Sequence, residues 1–129
     1  MANNKKTVLI VEDDAFILEV LKKKLEGKGY FVIGAGDAHS GLQVLKEQPV
    51  DLVLLDILLP GGANGFLLLQ DLKKTESLKD IPVLILSNLS ERSDIEKGLK
   101  LGAIDFLVKA NHTPNEIVDK VESTLGRKK

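Results

Sequence analysis

Four polar clusters in this 129-residue chain have the composition of a reactive site: Glu12-Asp13-Asp14, Asp56, Ser87-Asn88 and Lys109. Each follows directly on an apolar run, Val8–Val11, Leu52–Leu55, Val83–Leu86 and Phe106–Val108. A charge set against a core is costly unless something pairs with it. Clustered carboxylates repel one another unless a cation sits among them. Oxygen ligands without sulfur or imidazole select a hard ion such as Mg²⁺, which takes one or two carboxylates and fills its shell with water and ligand oxygens. A lysine and a serine hydroxyl add a positive charge and a donor suited to phosphoryl oxygens. In that company an aspartate is a competent nucleophile toward phosphorus, forming an acyl phosphate. Phosphoryl transfer asks little more of a protein than alignment and neutralisation of charge.

Such clusters meet only if the fold brings the ends of their apolar runs to one rim. Five runs recur, at Thr7–Val11, Tyr30–Ala35, Asp51–Asp56, Ile81–Ser87 and Ala103–Lys109. The first, third and fourth are continuous Val/Ile/Leu, as in strands covered on both faces. Between the runs, apolar residues fall at helical spacing: Ile17, Val20, Leu21 and Leu25; Ala38, Leu42 and Leu45; Ile95 and Leu99; Ile117, Val121 and Leu125. The segment Phe66–Leu72 is apolar nearly all round, which predicts a deeply buried helix. Thr113-Pro114-Asn115-Glu116 is a capping box with proline at the first helical position. Gly27, Gly29 and Gly102 close helices, and Pro49 and Pro82 mark passages from helix to strand. The alternation βαβαβαβαβα predicts an α/β fold, a doubly wound five-stranded parallel sheet of order 2-1-3-4-5, flavodoxin-like, with helices on both faces. In that order strands one, three, four and five are neighbours, so their polar ends converge.

Composition narrows the alternatives. The chain has no cysteine, which removes disulfides, thiolate catalysis and Cys-ligated zinc. Its two histidines, His39 and His112, are too few for a His-rich metal site. A net charge of −1 advertises neither nucleic acid nor membrane binding. The apolar run near the start is too short for a signal-peptide core or a membrane span, so the expected location is the cytoplasm. One domain is expected over 1–129, with its core at about 7–125 and loose ends at 1–5 and 126–129. Lys22-Lys23-Lys24 and Arg127-Lys128-Lys129 read as solvated charge.

The segments VLIVEDD, DLVLLDILLP, PVLILSN and GAIDFLVK, in this order and each at a strand end, resemble the signature segments of the response-regulator receiver domain. The resemblance runs from about Thr7 to about Leu125. It implies that Asp56 is the phosphoacceptor, charged by a histidine kinase or a histidine phosphotransfer protein. It implies Mg²⁺ held by Asp13 and Asp56 directly, by Glu12 through water and by the backbone carbonyl of Leu58. Ser87 would be the switch hydroxyl, Lys109 the partner of the phosphoryl group, and Phe106 the aromatic that swings inward on activation. The output would be a protein contact, with no direct contact to nucleic acid.

The chain departs from that family pattern in four places. Pro60-Gly61-Gly62-Ala63-Asn64-Gly65 carries one residue more than usual between the proline and the Asn-Gly pair. Asn88 stands where a small residue is usual. Leu58 and Leu89 occupy positions that tune the access of water to the acyl phosphate, and two apolar side chains there imply slow self-dephosphorylation. Lys109 is followed by Ala110 in place of proline, so the loop either keeps a strained cis bond, costing about 2.5–4 kcal/mol, or takes another path.

Each residue also has a plainer reading. Asp56 alone would serve as a loop cap, Ser87 as a hydroxyl bonded to local backbone, Lys109 as an exposed strand-end lysine, and Phe106 as ordinary core. Asp14 is expected to cap the first helix, and His39, Asn111 and His112 to be loop or cap residues. The rival activity is an Mg²⁺-dependent aspartyl-phosphate phosphatase of the haloacid-dehalogenase type. That chemistry wants a second acid two residues after the nucleophile, where this chain has Leu58. A flavodoxin is disfavoured because Glu12-Asp13-Asp14 would repel a phosphate at its binding loop, and the Gly-rich motif of P-loop nucleotidases is missing.

Overall fold

The computed structural model describes residues 5–62 and 64–126. Residues 1–4 and 127–129 of the expected loose ends, with the basic tail at Arg127–Lys129, lie outside the described residues, as does Ala63. Five strands, β1 (Thr7–Val11), β2 (Phe31–Ala35), β3 (Leu52–Leu55), β4 (Val83–Ser87) and β5 (Asp105–Val108), form one parallel sheet of order β2-β1-β3-β4-β5. The expected doubly wound architecture is the one found. Five helices alternate with the strands: α1 (Ala15–Gly27), α2 (Ala38–Glu47), α3 (Asn64–Lys74), α4 (Arg92–Lys100) and α5 (Pro114–Thr124).

The strand pleat divides the core in two. Leu9, Val11, Val53, Leu55, Val83 and Ile85 face α2, α3 and α4, while Val8, Ile10, Leu52, Leu54, Leu84 and Leu86 face α1 and α5. This is why β3 and β4 read as unbroken apolar runs: every residue of both is buried. The edge strands β2 and β5 are only partly covered.

Local chemistry fixes the helix ends. Asp14 caps α1 by accepting the amides of Phe16 and Ile17, as expected. Asp37 caps α2 by accepting the Ser40 amide at 2.7 Å, which holds its carboxyl below the usual range. The capping box of α5 is complete, Thr113 and Glu116 each accepting the other's amide. At the end of α3, Lys73 donates to the carbonyls of Lys79 and Ile81, both at 2.9 Å, with its stem alongside Gly102. Burial there pushes the ammonium pKa down.

Two expectations need correction. α3 is amphipathic after all: Phe66, Leu68, Leu69 and Leu72 are buried, but Leu67 is 58% exposed because its turn position faces away from the sheet. Leu99 of α4 is likewise exposed. Of the two alternatives left open after Lys109, the cis bond does not occur among the described residues, and the chain enters a short 3₁₀ turn over Lys109–Asn111.

Candidate functional site

The register carries the four polar clusters to one rim. Val11 pairs with Leu55, Leu55 with Ile85, and Ser87 with Val108. Glu12, Asp56, Ser87 and Lys109 therefore lie at adjacent carboxyl ends of β1, β3, β4 and β5, where open α/β sheets place their ligands.

There the side chains make one connected ionic group. The Lys109 Nζ donates to Glu12 Oε1 at 2.8 Å and to Asp56 Oδ2 at 3.0 Å. The second oxygen of each acid is held by backbone: Asp14 N–H donates to Glu12 Oε2 and Leu58 N–H to Asp56 Oδ1, both at 3.0 Å. Glu12 and Asp56 are nearly inaccessible, at 2% and 4% exposure, and Asp13 is exposed beside them. Oxygens of Glu12, Asp13 and Asp56 lie within 4.8 Å of one another. That is a set of hard, anionic donors open to solvent through Asp13, and it fits a small divalent cation with several waters retained.

The two ends of the ion pair respond differently to their setting. Burial pushes the Glu12 carboxyl up, and Lys109 and the Asp14 amide only partly offset it while the Asp56 charge adds to it. For Lys109 burial works against the charge, yet hydrogen bonds and Coulombic attraction from both acids outweigh it, and its pKa is raised. The asymmetry follows from stoichiometry: one cation has two acids to itself, and each acid has half a cation. A group of two buried acids and one lysine retains surplus negative charge, which a bound cation would neutralise.

Ser87 is fully buried at the same rim, and its Oγ accepts the Leu89 amide at 3.3 Å, so its plainer reading also holds in this state. Asn88 is exposed, and Leu89 leans on the core below it. Leu58 is 45% exposed in the loop just past Asp56. Phe106 is buried opposite Ile85, two residues inside Ser87, under α4. Beside the carboxylates runs an apolar groove between α1 and α5, walled by Phe16, Ile17, Val20, Leu86, Ile117 and Lys109. Two participants were not read from the sequence. One is the Asp14 amide, a backbone group that no side-chain pattern reports. The other is Gly65, whose closeness to the Asp56 backbone exists only in three dimensions, although the Asn-Gly pair was visible.

The family model for the response regulator receiver domain matches residues 8–122. The chain belongs to this family. As a receiver domain it is the signalling module of a two-component response regulator, not a classical enzyme. Among curated proteins it is 37% identical over 120 residues to the phosphate regulon transcriptional regulatory protein PhoB of Escherichia coli K12, covering 93% of this chain and 52% of PhoB. The receiver domain thus spans about half the length of the curated relatives it matches. Among solved structures it superposes on the receiver domain of the Francisella response regulator 1452 with a TM-score of 0.85 at 30% identity, covering 97% of this chain and all of that one. It superposes on the Mn²⁺-bound form of the response regulator Rcp1 with a TM-score of 0.80 at 26% identity, covering 92% of each. No helix among the described residues is long and apolar enough to cross a membrane.

Proposed function

We propose that residues 1–129 form one cytoplasmic receiver domain in which Asp56 accepts a phosphoryl group from a histidine kinase or histidine phosphotransfer protein and passes the signal on as a change in a protein-binding surface. The observation that carries this reading is the ionic group itself: a buried Asp56 bound to Lys109, beside two further acids, at the carboxyl rim of the sheet. Asp13 and Asp56 would hold Mg²⁺ directly, Glu12 through water, and Leu58 by its carbonyl; Rcp1, a structural neighbour, binds Mn²⁺. The ion supplies charge neutralisation for the transferring phosphoryl group.

This chain's residues do the rest. An oxygen of Asp56 attacks phosphorus, the bond to the donor nitrogen breaks, and an acyl phosphate forms. Lys109 is already within hydrogen-bonding distance of Asp56 and needs only a small shift to meet the new phosphoryl oxygens. The Ser87 hydroxyl accepts one amide and keeps its proton free to donate to the phosphoryl group. Ser87 and Phe106 lie on adjacent strands two residues apart in register, which gives that hydrogen bond a short route to the aromatic and to α4. Leu58 and Leu89, at the positions that tune water access in the family, have no polar group to orient an attacking water, so self-dephosphorylation is slow.

Incubation with Mg²⁺ and acetyl phosphate followed by intact mass tests the reading. One phosphoryl adduct is expected, stable for minutes or longer and missing in Asp56→Asn. A haloacid-dehalogenase-type phosphatase would instead turn the donor over with no lasting adduct, an outcome that would refute the receiver chemistry.

A further inference from the structure

The glycine at the start of α3 does something that the other glycines do not. A Cβ built at Gly34, Gly41, Gly98 or Gly102 meets side-chain atoms, which can move, and one at Gly27 or Gly36 meets nothing. At Gly65 it would run into the carbonyl oxygen of Asp56 and the Cα of Ile57, both main chain. Gly65 is not among the positive-φ glycines, so its backbone conformation is one any residue adopts. What this position requires is space.

The hydrogen bonds explain what that space is for. The Ile57 carbonyl accepts two amides at 3.1 Å, those of Leu59 and Gly65. The first closes a tight turn centred on Leu58. The second locks that turn to the first residues of α3. Leu58 in turn donates its amide to Asp56 Oδ1. On the far side of the loop the Asn64 amide donates to the Pro60 carbonyl at 2.9 Å and packs over Gly61, which sits at φ +95°. Leu59 and Gly62 exchange backbone hydrogen bonds between these two anchors. The lengthened loop is thus folded back and held by consecutive residues of one helix.

We infer that Asn64-Gly65 is a clamp that positions Asp56 and the Leu58 carbonyl for cation binding and phosphoryl transfer, with Gly65 the positioning residue and Asn64 its second arm. The inference rests on the phosphoacceptor reading of Asp56. Any side chain at 65 must lever α3 away from the loop, and the loop carries one proposed metal ligand on its backbone and another one residue outside its turn. Small displacements of such groups are costly, because transfer depends on alignment.

The test uses the full chain and three variants. Mg²⁺ affinity is read by titration calorimetry, stability by thermal unfolding, and acyl-phosphate formation from acetyl phosphate by intact mass. Gly41→Ala is the control, since its Cβ would crowd Val11 and Leu68 without touching the loop. Gly65→Ala is expected to weaken Mg²⁺ binding about tenfold or more, in the range seen when groups supporting a metal shell are lost, and to slow adduct formation. Gly41→Ala is expected to lower the melting temperature with Mg²⁺ affinity unchanged. Asn64→Ala, which introduces no clash, is expected to weaken binding in the same direction by less. Wild-type affinity in a folded Gly65→Ala overturns the clamp; should that variant not fold, wild-type affinity in Asn64→Ala does so. A wild-type chain that binds no Mg²⁺ and gains no phosphoryl group is a different failure, one that removes the reading of Asp56 and the clamp with it.

Discussion

α4 and α5 flank the same edge strand, β5, and are held to it in opposite ways. α5 begins with a complete capping box and a proline, buries Ile117, Val118 and Val121, and is tied to β5 by the Lys120–Asp105 ion pair at 2.9 Å. α4 begins at Glu91 with no side-chain cap and buries only Gly98 of its nine residues. Its links to the body are Ile95 and Gly98 on the core and Lys97 stacked 4.5 Å above the Phe66 ring of α3. Gly98 lies so near Ile85 and Phe106 that an added methyl would press on both. The lesson is one of allocation: α5 is anchored, while α4 rests on the core through half-buried Ile95 and a glycine, and on α3 through Lys97. On the proposed switching role of Phe106, its displacement would meet least resistance on the α4 side, since weakly packed elements open first.

The largest expected effect comes from emptying the better packed side. Ile117→Ala is expected to cost about 2–5 kcal/mol, the usual range for a large aliphatic truncated in a core, whereas Ile95→Ala, half-buried on α4, costs about 1 kcal/mol. Chemical denaturation of the two variants measures the gap, and equal losses would erase the contrast between the helices. Exchanging the caps comes next. Thr113→Ala is expected to lower stability by about 1 kcal/mol and Glu91→Ser to raise it by about 0.5 kcal/mol; amide hydrogen exchange should show Glu91→Ser protecting α4 selectively. A serine at 91 that leaves α4 exchange unchanged would mean the missing cap is not what loosens it.

The smallest effect is electrostatic. Burial alone would raise the Asp105 carboxyl, but the hydrogen bonds from Lys120 and the Phe106 amide, with the Lys120 charge, outweigh it and hold the pKa below the usual carboxylate value. A depressed carboxyl contributes stability above its unfolded pKa and loses it as pH falls through the folded value. The stability difference between wild type and Asp105→Asn should therefore be flat near neutral pH, shrink at pH values below the ordinary carboxylate range, and weaken with added salt, the pair being partly exposed. A difference that grew on acidification would reverse this assignment.

Much of this was legible in the chain. Strand order followed from five apolar runs alternating with helical periods, and the caps at Asp14 and Thr113 from single residue types. The meeting of Glu12, Asp56, Ser87 and Lys109 followed from strand order alone. What was not legible came from turns and from faces. Ala103 and Ile104 looked like strand but form the turn into β5, because their amides bond to Gly98 and Val83 across the entry to the strand. Leu67 and Leu99 are apolar yet exposed, since helical periodicity over so short a window does not fix which face meets the sheet. The direct reach of Glu12 to Lys109, and the pressure of Gly65 on the Asp56 backbone, depend on ångström-scale approach that residue types do not encode.

Lys73 has a consequence of its own. Its ammonium is spent on two carbonyls of the turn between α3 and β4, and its methylenes lie along Gly102 on the way into β5. Amine-directed reagents ought to find this side chain late, after the exposed Lys23 and Lys24 of α1. Once it was acylated, the turn would lose both donors together and the backbone leading into β4 would be left with two unanswered oxygens.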